Sequence, residues 1–144
     1  MRFDGDWRFC DDGITRPVVP ATVADGHGAW QAAEFLLDTG ADRTLFSAHL
    51  LAALGLESQP SPDSVAGIGG KVNVVRVATR IQLTRDDGKT AAFRGEFAAC
   101  TDLESLDMSV LGRDILDMFA VVVDRPGDIV AILGGNHRYA IHSA

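Results

Sequence analysis

The 144-residue chain is long enough for one domain with a hydrophobic core, and residues 1–144 are predicted to form a single domain. Its composition, 47% hydrophobic and 23% charged, is that of an ordinary globular protein, and its net charge of −7 argues against nucleic acid or an anionic membrane as a partner. The amino terminus has no apolar run of the kind found in secretory signals. Elsewhere no apolar run approaches the ~20 residues that span a bilayer. We therefore expect a cytoplasmic location and no membrane association.

Short β-rich runs alternate with Gly, Asp and Pro along the chain, which predicts a mostly antiparallel all-β protein of the sandwich or barrel type. The predicted strands are Thr15–Val23, Ala29–Leu37, Lys71–Thr84, Thr90–Ala99, Ala120–Asp124 and Ile129–Leu133. Tight turns are predicted at Asp25–Gly28, Asp86–Lys89 and Arg125–Asp128. Each of these turns supplies the residues that a hairpin needs where φ is positive or preset.

Two short helices interrupt the strands. Ser47 is a suitable N-cap for a helix over Ala48–Leu54, which Gly55 would end. A second helix is predicted over Arg113–Phe119, directly after Gly112.

Two further segments have no clear periodic pattern. Glu57–Asp63 contains two prolines and is predicted to be a loop. The last residues, Gly134–Ala144, are predicted to be either a final strand or a mobile tail.

The strongest functional signal is the segment Phe35–Asp42, in which an apolar strand runs directly into the sequence Asp38-Thr39-Gly40. A strand that ends in this way brings one carboxylate from the interior into a tight loop, where the hydroxyl can bond locally and the glycine admits another backbone. The tripeptide alone is a weak signal, because Asp, Thr and Gly are also common in ordinary turns.

Two glycine-containing segments make this interpretation more specific. Val65–Val72 has three closely spaced glycines followed by β-like sequence, which predicts a hairpin rather than a phosphate-binding loop ahead of a helix. A flexible hairpin with one apolar residue at its tip suits a lid over an extended ligand. The other segment, Val110–Leu116, taken by itself is equally consistent with an ordinary strand-to-helix turn and with a functional motif.

In this order, the three segments resemble the retropepsins, the peptidase family of retroviruses and their cellular and bacterial relatives. Members have a catalytic Asp-Thr-Gly-Ala loop, a glycine-rich flap hairpin, and an apolar-apolar-Gly-Arg turn that enters the helix of the lobe. The resemblance runs from about Phe35 to Asp124 and is specific at Leu37–Asp42, Gly67–Gly70 and Leu111–Arg113. It implies a retropepsin-like single-lobe acid protease barrel with one or two short helices, a flap hairpin and a two-fold homodimer.

The resemblance also implies roles for individual positions. Asp38 is expected to be the catalytic aspartate, Thr39 to bond across the dimer axis to its twin, and Gly40 to accept the substrate backbone. Asp42 and Arg113 match positions that form an intrachain ion pair beside the catalytic loop. The implied substrate-binding positions are Leu36, Ala41, Asp42, Arg43, Leu45, Gly67, Ile68, Gly69, Met108 and Val110.

The chain contains one Asp-Thr-Gly, whereas this kind of peptide hydrolysis needs two carboxyl groups, one as acid and one as base. Two adjacent carboxyl groups share one proton, because ionising both is costly. The second Asp38 is therefore expected from another subunit on a two-fold axis, with Ala120–Leu133 and the termini as the interface. The predicted function is an aspartic endopeptidase that acts on peptide or protein substrates as an obligate homodimer.

Other chemistries have less support. The four histidines are scattered, and neither an HExxH motif nor a Cys/His cluster is present, so no metal and no cofactor are predicted. Cys10 and Cys100 are predicted to be reduced thiols, with Cys100 buried as a small hydrophobe. Two alternatives stay open: a catalytically silent dimer of the same fold that binds extended peptides, and an acidic β-domain that scaffolds partners.

Overall fold

A computed structural model of the chain describes residues 1–67 and 70–143, with the backbone alone described for residues 62–67 and 70. The helices are α1 (Ala48–Leu54) and α2 (Arg113–Leu116). The strands are β1 (Arg2–Asp4), β2 (Asp6–Phe9), β3 (Thr15–Ala24), β4 (Trp30–Leu37), β5 (Leu45–Phe46), β6 (Gln59–Gly67), β7 (Gly70–Thr84), β8 (Thr90–Cys100), β9 (Ser109–Leu111), β10 (Ala120–Asp124) and β11 (Ile129–Leu133). Within the described ranges, no helix has the length and apolar character to cross a membrane.

Eight strands form the larger sheet, in the order β2-β3-β4-β9-β5-β8-β7-β6. An additional pairing between β3 and β7, through Thr22–Gln82 and Val23–Ile81, closes six of these strands into a barrel-like ring. Most neighbours are antiparallel, and the parallel pairs in the described chain are β4–β9 and β5–β8. The predicted all-β, mostly antiparallel class is confirmed.

A smaller sheet, in the order β1-β11-β10, joins the two ends of the chain. Its inner face packs on the same core as the barrel through Phe3, Val130 and Ile132, each at most 4% exposed. Strand β10 pairs with β11 on one side and lies at the edge of this sheet.

Strand alternation places one apolar set inside the barrel. Phe46 lies at the centre of an aromatic group, with its ring centroid 5.9 Å from that of Phe35 and 5.4 Å from that of Phe97. Burying side chains of this size stabilises the fold by roughly 1.5–3 kcal/mol each. Since Phe35 and Phe46 belong to β4 and β5, this group fixes the two strands on either side of β9.

The predicted turns and the first helix agree with the structure. Ser47 caps α1 by accepting the Leu50 N–H at 3.2 Å, and Gly55 ends the helix in the left-handed region with φ of 56°. The hairpin turns after β3 and β7 place Gly28 and Gly88 at φ of 81° and 82°.

The prediction of a loop over Glu57–Asp63 is wrong, because Gln59–Gly67 forms β6. This strand lies at the edge of the larger sheet and pairs with β7, with a register shift between Pro60 and Ser64. A proline is tolerated at such an edge, since the missing N–H would not face a neighbouring strand.

The prediction of a helix over Arg113–Phe119 is too long. Helix α2 ends at Leu116, and the N–H groups of Met118 and Phe119 instead bond to carbonyls three residues back, at 3.2 and 3.0 Å. This tighter pattern is typical of a final turn that leaves the α-helix. Residues 134–143 have no regular secondary structure, so the alternative of a final strand there is also wrong.

Candidate active site

Asp38 follows the last residue of β4, where this strand runs parallel to β9. Leu37 pairs with Leu111, and both side chains are buried, at 7% and 0% exposure. The backbone N–H of Asp38 continues the ladder by donating to the carbonyl of Leu111 at 3.2 Å. A half-buried carboxylate is thereby attached to the end of a buried pair of strands.

The loop after Asp38 turns back on the aspartate itself. The Gly40 N–H donates to Asp38 Oδ1 at 2.9 Å, and the Ala41 N–H donates to the Asp38 carbonyl at 3.1 Å. In the described chain, Gly40 is the one residue that donates to this carboxylate, which leaves Oδ2 available for an external partner. Thr39 and Gly40 are exposed beside it.

The segment after β9 holds this loop in place through its backbone. The Arg113 N–H donates to the Ala41 carbonyl at 2.9 Å, and the Asp114 N–H donates to the Asp42 carbonyl at 3.1 Å. Gly112 is needed for close packing, because a Cβ there would lie 2.4 Å from the carbonyl carbon of Arg43. The two glycine-containing motifs that sequence analysis singled out around Asp38 and Gly112 therefore form one unit.

A contact between Thr44 and Asp114 strengthens this unit, and sequence analysis missed it. Thr44 is 1% exposed; its hydroxyl donates to Asp114 Oδ1 at 2.7 Å, and its N–H donates to the same carboxylate at 3.0 Å. The Thr44 oxygen in turn accepts the Gly112 N–H at 3.1 Å. The positions of the two residues in the sequence could have indicated this contact. Thr44 lies two residues after Asp42, and Asp114 lies two residues after Gly112, both of which the motifs had already singled out.

Asp42 and Arg113 form an ion pair between the two segments. Their side chains are 81% and 48% exposed, so water screens the attraction. The buried Thr44 hydrogen bonds therefore contribute more to holding the loop than this surface pair does.

Three of the implied substrate-binding residues lie next to one another. Val110 pairs with Leu36 on one side and with Leu45 on the other, which places the three in a row across β4, β9 and β5. Because successive residues of a strand alternate between faces, this row lies on the face opposite the buried Leu37 and Leu111. The row borders the loop that carries Asp38.

The remaining implied positions lie in bends and in a hairpin. Arg43 is exposed in the bend after Asp42, and Met108 is half-buried just before β9. Gly67 pairs with Gly70 where β6 meets β7, which confirms a hairpin at this point. The prediction for Ile68 and Gly69 concerns residues outside the described ranges.

No cluster of three or more His, Cys, Asp or Glu side chains that could hold a metal occurs in the described ranges. Cys100, at the end of β8, is 1% exposed, and burial raises the pKa of its thiol. A raised pKa keeps this thiol protonated and unreactive near neutral pH.

Comparison with known proteins gives a family match and two solved structures. A sequence profile of the family described as "Aspartyl protease" matches residues 19–115, which are 97 of the 144 residues. Among proteins with curated descriptions, none is significantly similar in sequence.

The first similar structure is that of the EIAV protease complexed with the inhibitor HBY-793. It is 21% identical, with a TM-score of 0.52 over 71% of this chain and 86% of that chain. The second is a retropepsin-like aspartic protease from Rickettsia conorii, 17% identical, with a TM-score of 0.58 over 92% of this chain and 88% of that chain. At these identities the likeness bears on the fold alone.

Proposed function

Because the chain belongs to the aspartyl protease family and has the retropepsin-like fold, we propose that it is an aspartic endopeptidase whose active form is a homodimer. The observation that carries the proposal is the way in which the Asp38 carboxylate is held. This carboxylate lies at the end of a buried strand pair, and among the residues that the structure describes it accepts one N–H, which leaves its second oxygen without a donor from them. A reacting carboxylate needs a fixed position and an oxygen that can contact water or substrate.

In the proposed dimer, Asp38 from each of two copies meets at a two-fold axis and the pair holds one proton. The ionised carboxylate removes a proton from a water molecule, which attacks the carbonyl carbon of the scissile peptide bond. The protonated partner donates a hydrogen bond to the carbonyl oxygen and then helps to protonate the leaving amine. No metal or cofactor takes part in these steps.

Neighbouring residues have positioning roles in this proposal. The exposed Thr39 hydroxyl, which has no partner within the described part of one chain, bonds to its counterpart across the axis. Gly40 keeps the Asp38 carboxylate uncrowded, since a Cβ there would lie 3.1 Å from Oδ1, and the substrate backbone is accepted beside it. Leu36, Leu45 and Val110 contact apolar substrate side chains, and the hairpin that contains Gly67 acts as the flap.

The smaller sheet supports pairing of two copies. Strand β10 is an apolar edge strand, and its Val123 is 47% exposed. Ile129 on β11, opposite Asp124 of β10, is 48% exposed. Apolar edge strands of this kind associate readily with another chain, so a second copy of this sheet is the partner we propose.

The first experiment compares the wild type with Asp38→Asn on a mixed peptide library at mildly acidic to neutral pH. The introduced amide keeps the shape of the side chain but cannot exchange a proton, so cleavage is expected to be abolished while the fold and the dimer mass persist. Asp117→Asn, which removes one exposed charge elsewhere, is the matched control and is expected to retain full activity. Cleavage by the Asp38→Asn protein, or peptides that bind to the wild type and stay intact, would contradict the proposal.

A mixing experiment tests whether two copies share one site. If subunits exchange freely, an equal amount of Asp38→Asn protein pairs with about half of the wild-type subunits and lowers their specific activity to about half. A ninefold excess is expected to lower it to about a tenth. Activity that is independent of the added variant would show that one subunit works alone, whereas the Asp117→Asn protein is expected to have no inhibitory effect.

A further inference from the structure

A buried hydroxyl at the start of strand β9 ties this strand to the beginning of helix α1. Ser109 is 4% exposed, and its hydroxyl oxygen accepts the backbone N–H of Ser47 at 2.9 Å. The Ser109 hydroxyl also donates to the Ser47 hydroxyl at 3.4 Å, which in turn accepts the Leu50 N–H. Because a buried N–H without an acceptor is costly, this contact constrains where the two segments meet.

Ser47 is a firm point of attachment, because regular structure holds it on both sides. It is the N-cap of α1, a helix whose Ala48 and Leu54 are 6% and 0% exposed. Strand β5 ends one residue before Ser47 and pairs with both β8 and β9. The bond to Ser47 therefore attaches Ser109 to the core of the protein.

The segment between β8 and β9, residues 101–108, is held differently. It has no regular secondary structure, and most of its side chains are exposed. The hydrogen bonds that Asp102 accepts come from the segment itself, from the Glu104 N–H at 2.9 Å and the Ser105 N–H at 3.2 Å. Bonds of this kind shape the segment but do not place it on the core. Met108, an implied substrate-binding residue, is the last residue of the segment, so its position depends on the neighbouring Ser109.

The two ends of β9 therefore support different parts of the candidate active site. At the end of the strand, the Leu111 carbonyl accepts the Asp38 N–H. At its start, Ser109 lies between Met108 and Val110, which are both implied substrate-binding residues. A change at Ser109 acts on these two neighbours first, and the bond from Asp38 to Leu111 is retained.

We propose that Ser109 is a positioning residue for the substrate, an inference that rests on the proposed peptidase function. Its bond to Ser47 holds Met108 and Val110 where they contact an apolar side chain of the peptide. Without the hydroxyl, the Ser47 N–H loses its acceptor and the start of β9 shifts. The apolar wall then fits the peptide less closely, which weakens substrate binding and the discrimination between large and small side chains. The chemistry at Asp38 is unchanged, because its own support comes from the other end of the strand.

The test measures kcat and KM separately on the peptide of the mixed library that the wild type cleaves fastest. For Ser109→Ala, KM is expected to rise roughly three- to tenfold, the factor by which one lost hydrogen bond changes an equilibrium, while kcat stays within about twofold of the wild type. A second peptide has alanine in place of the apolar residue next to the scissile bond. The ratio of kcat/KM for the two peptides is expected to be smaller in Ser109→Ala than in the wild type.

Thr79→Val is the matched control. It also removes a buried hydroxyl, which donates to the Ala24 carbonyl at 2.7 Å. Ala24 pairs with Trp30 at the start of β4, the opposite end of that strand from Asp38. This variant is expected to keep the KM, the kcat and the peptide preference of the wild type.

Ser109→Cys retains a weaker acceptor at the same position and is expected to raise KM by less than Ser109→Ala does. It replaces Ser109→Ala in the assay if that protein does not fold. A wild-type KM in the folded variant, or a loss confined to kcat, would overturn the positioning role. The same rise in KM for Thr79→Val would also overturn it, since any lost buried hydroxyl would then have this effect. A wild type that cleaves no peptide would instead overturn the proposed function, and this inference with it.

Discussion

An aspartate lies beyond each end of strand β4, Asp25 in the turn that precedes it and Asp38 directly after it, and the two carboxylates are used in different ways. At the start of the strand, both oxygens of Asp25 accept hydrogen bonds, two from the N–H groups of His27 and Ala29 and one from Gln31. At the other end, Asp38 accepts one from the described part of the chain, the N–H of Gly40. The sequences Asp-Gly-His-Gly and Asp-Thr-Gly-Ala do not by themselves reveal this difference.

The contrast separates a carboxylate that builds a turn from one that is available for chemistry. The hydrogen bond from Gln31, with those from His27 and Ala29, holds the pKa of Asp25 below its ordinary value, as expected of an acceptor whose charge is committed to structure. Asp38 is instead positioned by backbone contacts of the residues around it, and its Oδ2 accepts no hydrogen bond from the residues described. The two aspartates are distinguished by how many hydrogen bonds their carboxylates accept from the described residues, and not by the local sequence.

The largest expected effect comes from exchanging each aspartate for asparagine. Asp38→Asn is expected to lower peptidase activity by at least ~10³-fold, because acid–base catalysis is lost, while the melting temperature stays close to that of the wild type. Asp25→Asn is expected to do the reverse, with activity retained below the melting transition and a melting temperature lower by about a few degrees. Peptide-cleavage assays and thermal unfolding measured on both variants give the comparison directly.

The opposite pattern would break the distinction between the two ends. If Asp25→Asn were inactive although folded and Asp38→Asn were active, the turn before β4 would have to be part of the catalytic site. If both variants unfolded, the assay would be repeated with Asp38→Glu, which retains a carboxyl group but displaces it. Folded and nearly inactive protein is expected for that variant.

A second prediction concerns the support of the Asp38 end. Thr44→Val keeps the volume of the buried side chain but removes the hydroxyl that bonds to Asp114 and to the Gly112 N–H. We expect a loss of roughly 1–3 kcal/mol in the free energy of unfolding, since a buried N–H is left without a partner. Thr84→Val, at an exposed strand end, is the control and is expected to be nearly neutral in urea unfolding. Equal stabilities for the two variants would contradict the supporting role of Thr44.

The sequence predicted the long, alternating elements of this fold well and the short ones poorly. Strands Thr15–Ala24, Gly70–Thr84 and Thr90–Cys100 each differ from their predicted bounds by one residue, because β-rich runs and the turns that separate them are local properties. Strand β5, Leu45–Phe46, is too short to show a period and exists through its pairing with β8 and β9. Thr44 and Asp114 are 70 residues apart, so their contact follows from tertiary packing alone.

A third, smaller effect is expected in the dependence of stability on pH. Because the pKa of Asp25 is lower in the folded protein than in the unfolded chain, its contribution to stability is present above about pH 4 and is lost as the pH falls through the lowered pKa. Asp25→Asn is therefore expected to be less stable than the wild type near neutral pH and to approach it under acid conditions. Urea unfolding at a series of pH values measures this, and a constant difference at all pH values would contradict it.

The smallest effect is expected for the ion pair between Asp42 and Arg113. Both side chains are largely in water, so Arg113→Gln is expected to change the free energy of unfolding by less than about 1 kcal/mol, well below the effect of Thr44→Val. The backbone N–H of residue 113 still donates to the Ala41 carbonyl in the variant, which keeps the two segments together. Measured in 1 M salt, where exposed pairs are screened, the difference from the wild type is expected to vanish. A loss comparable to that of Thr44→Val would show that the charged pair, and not the buried hydroxyl, holds the Asp38 loop.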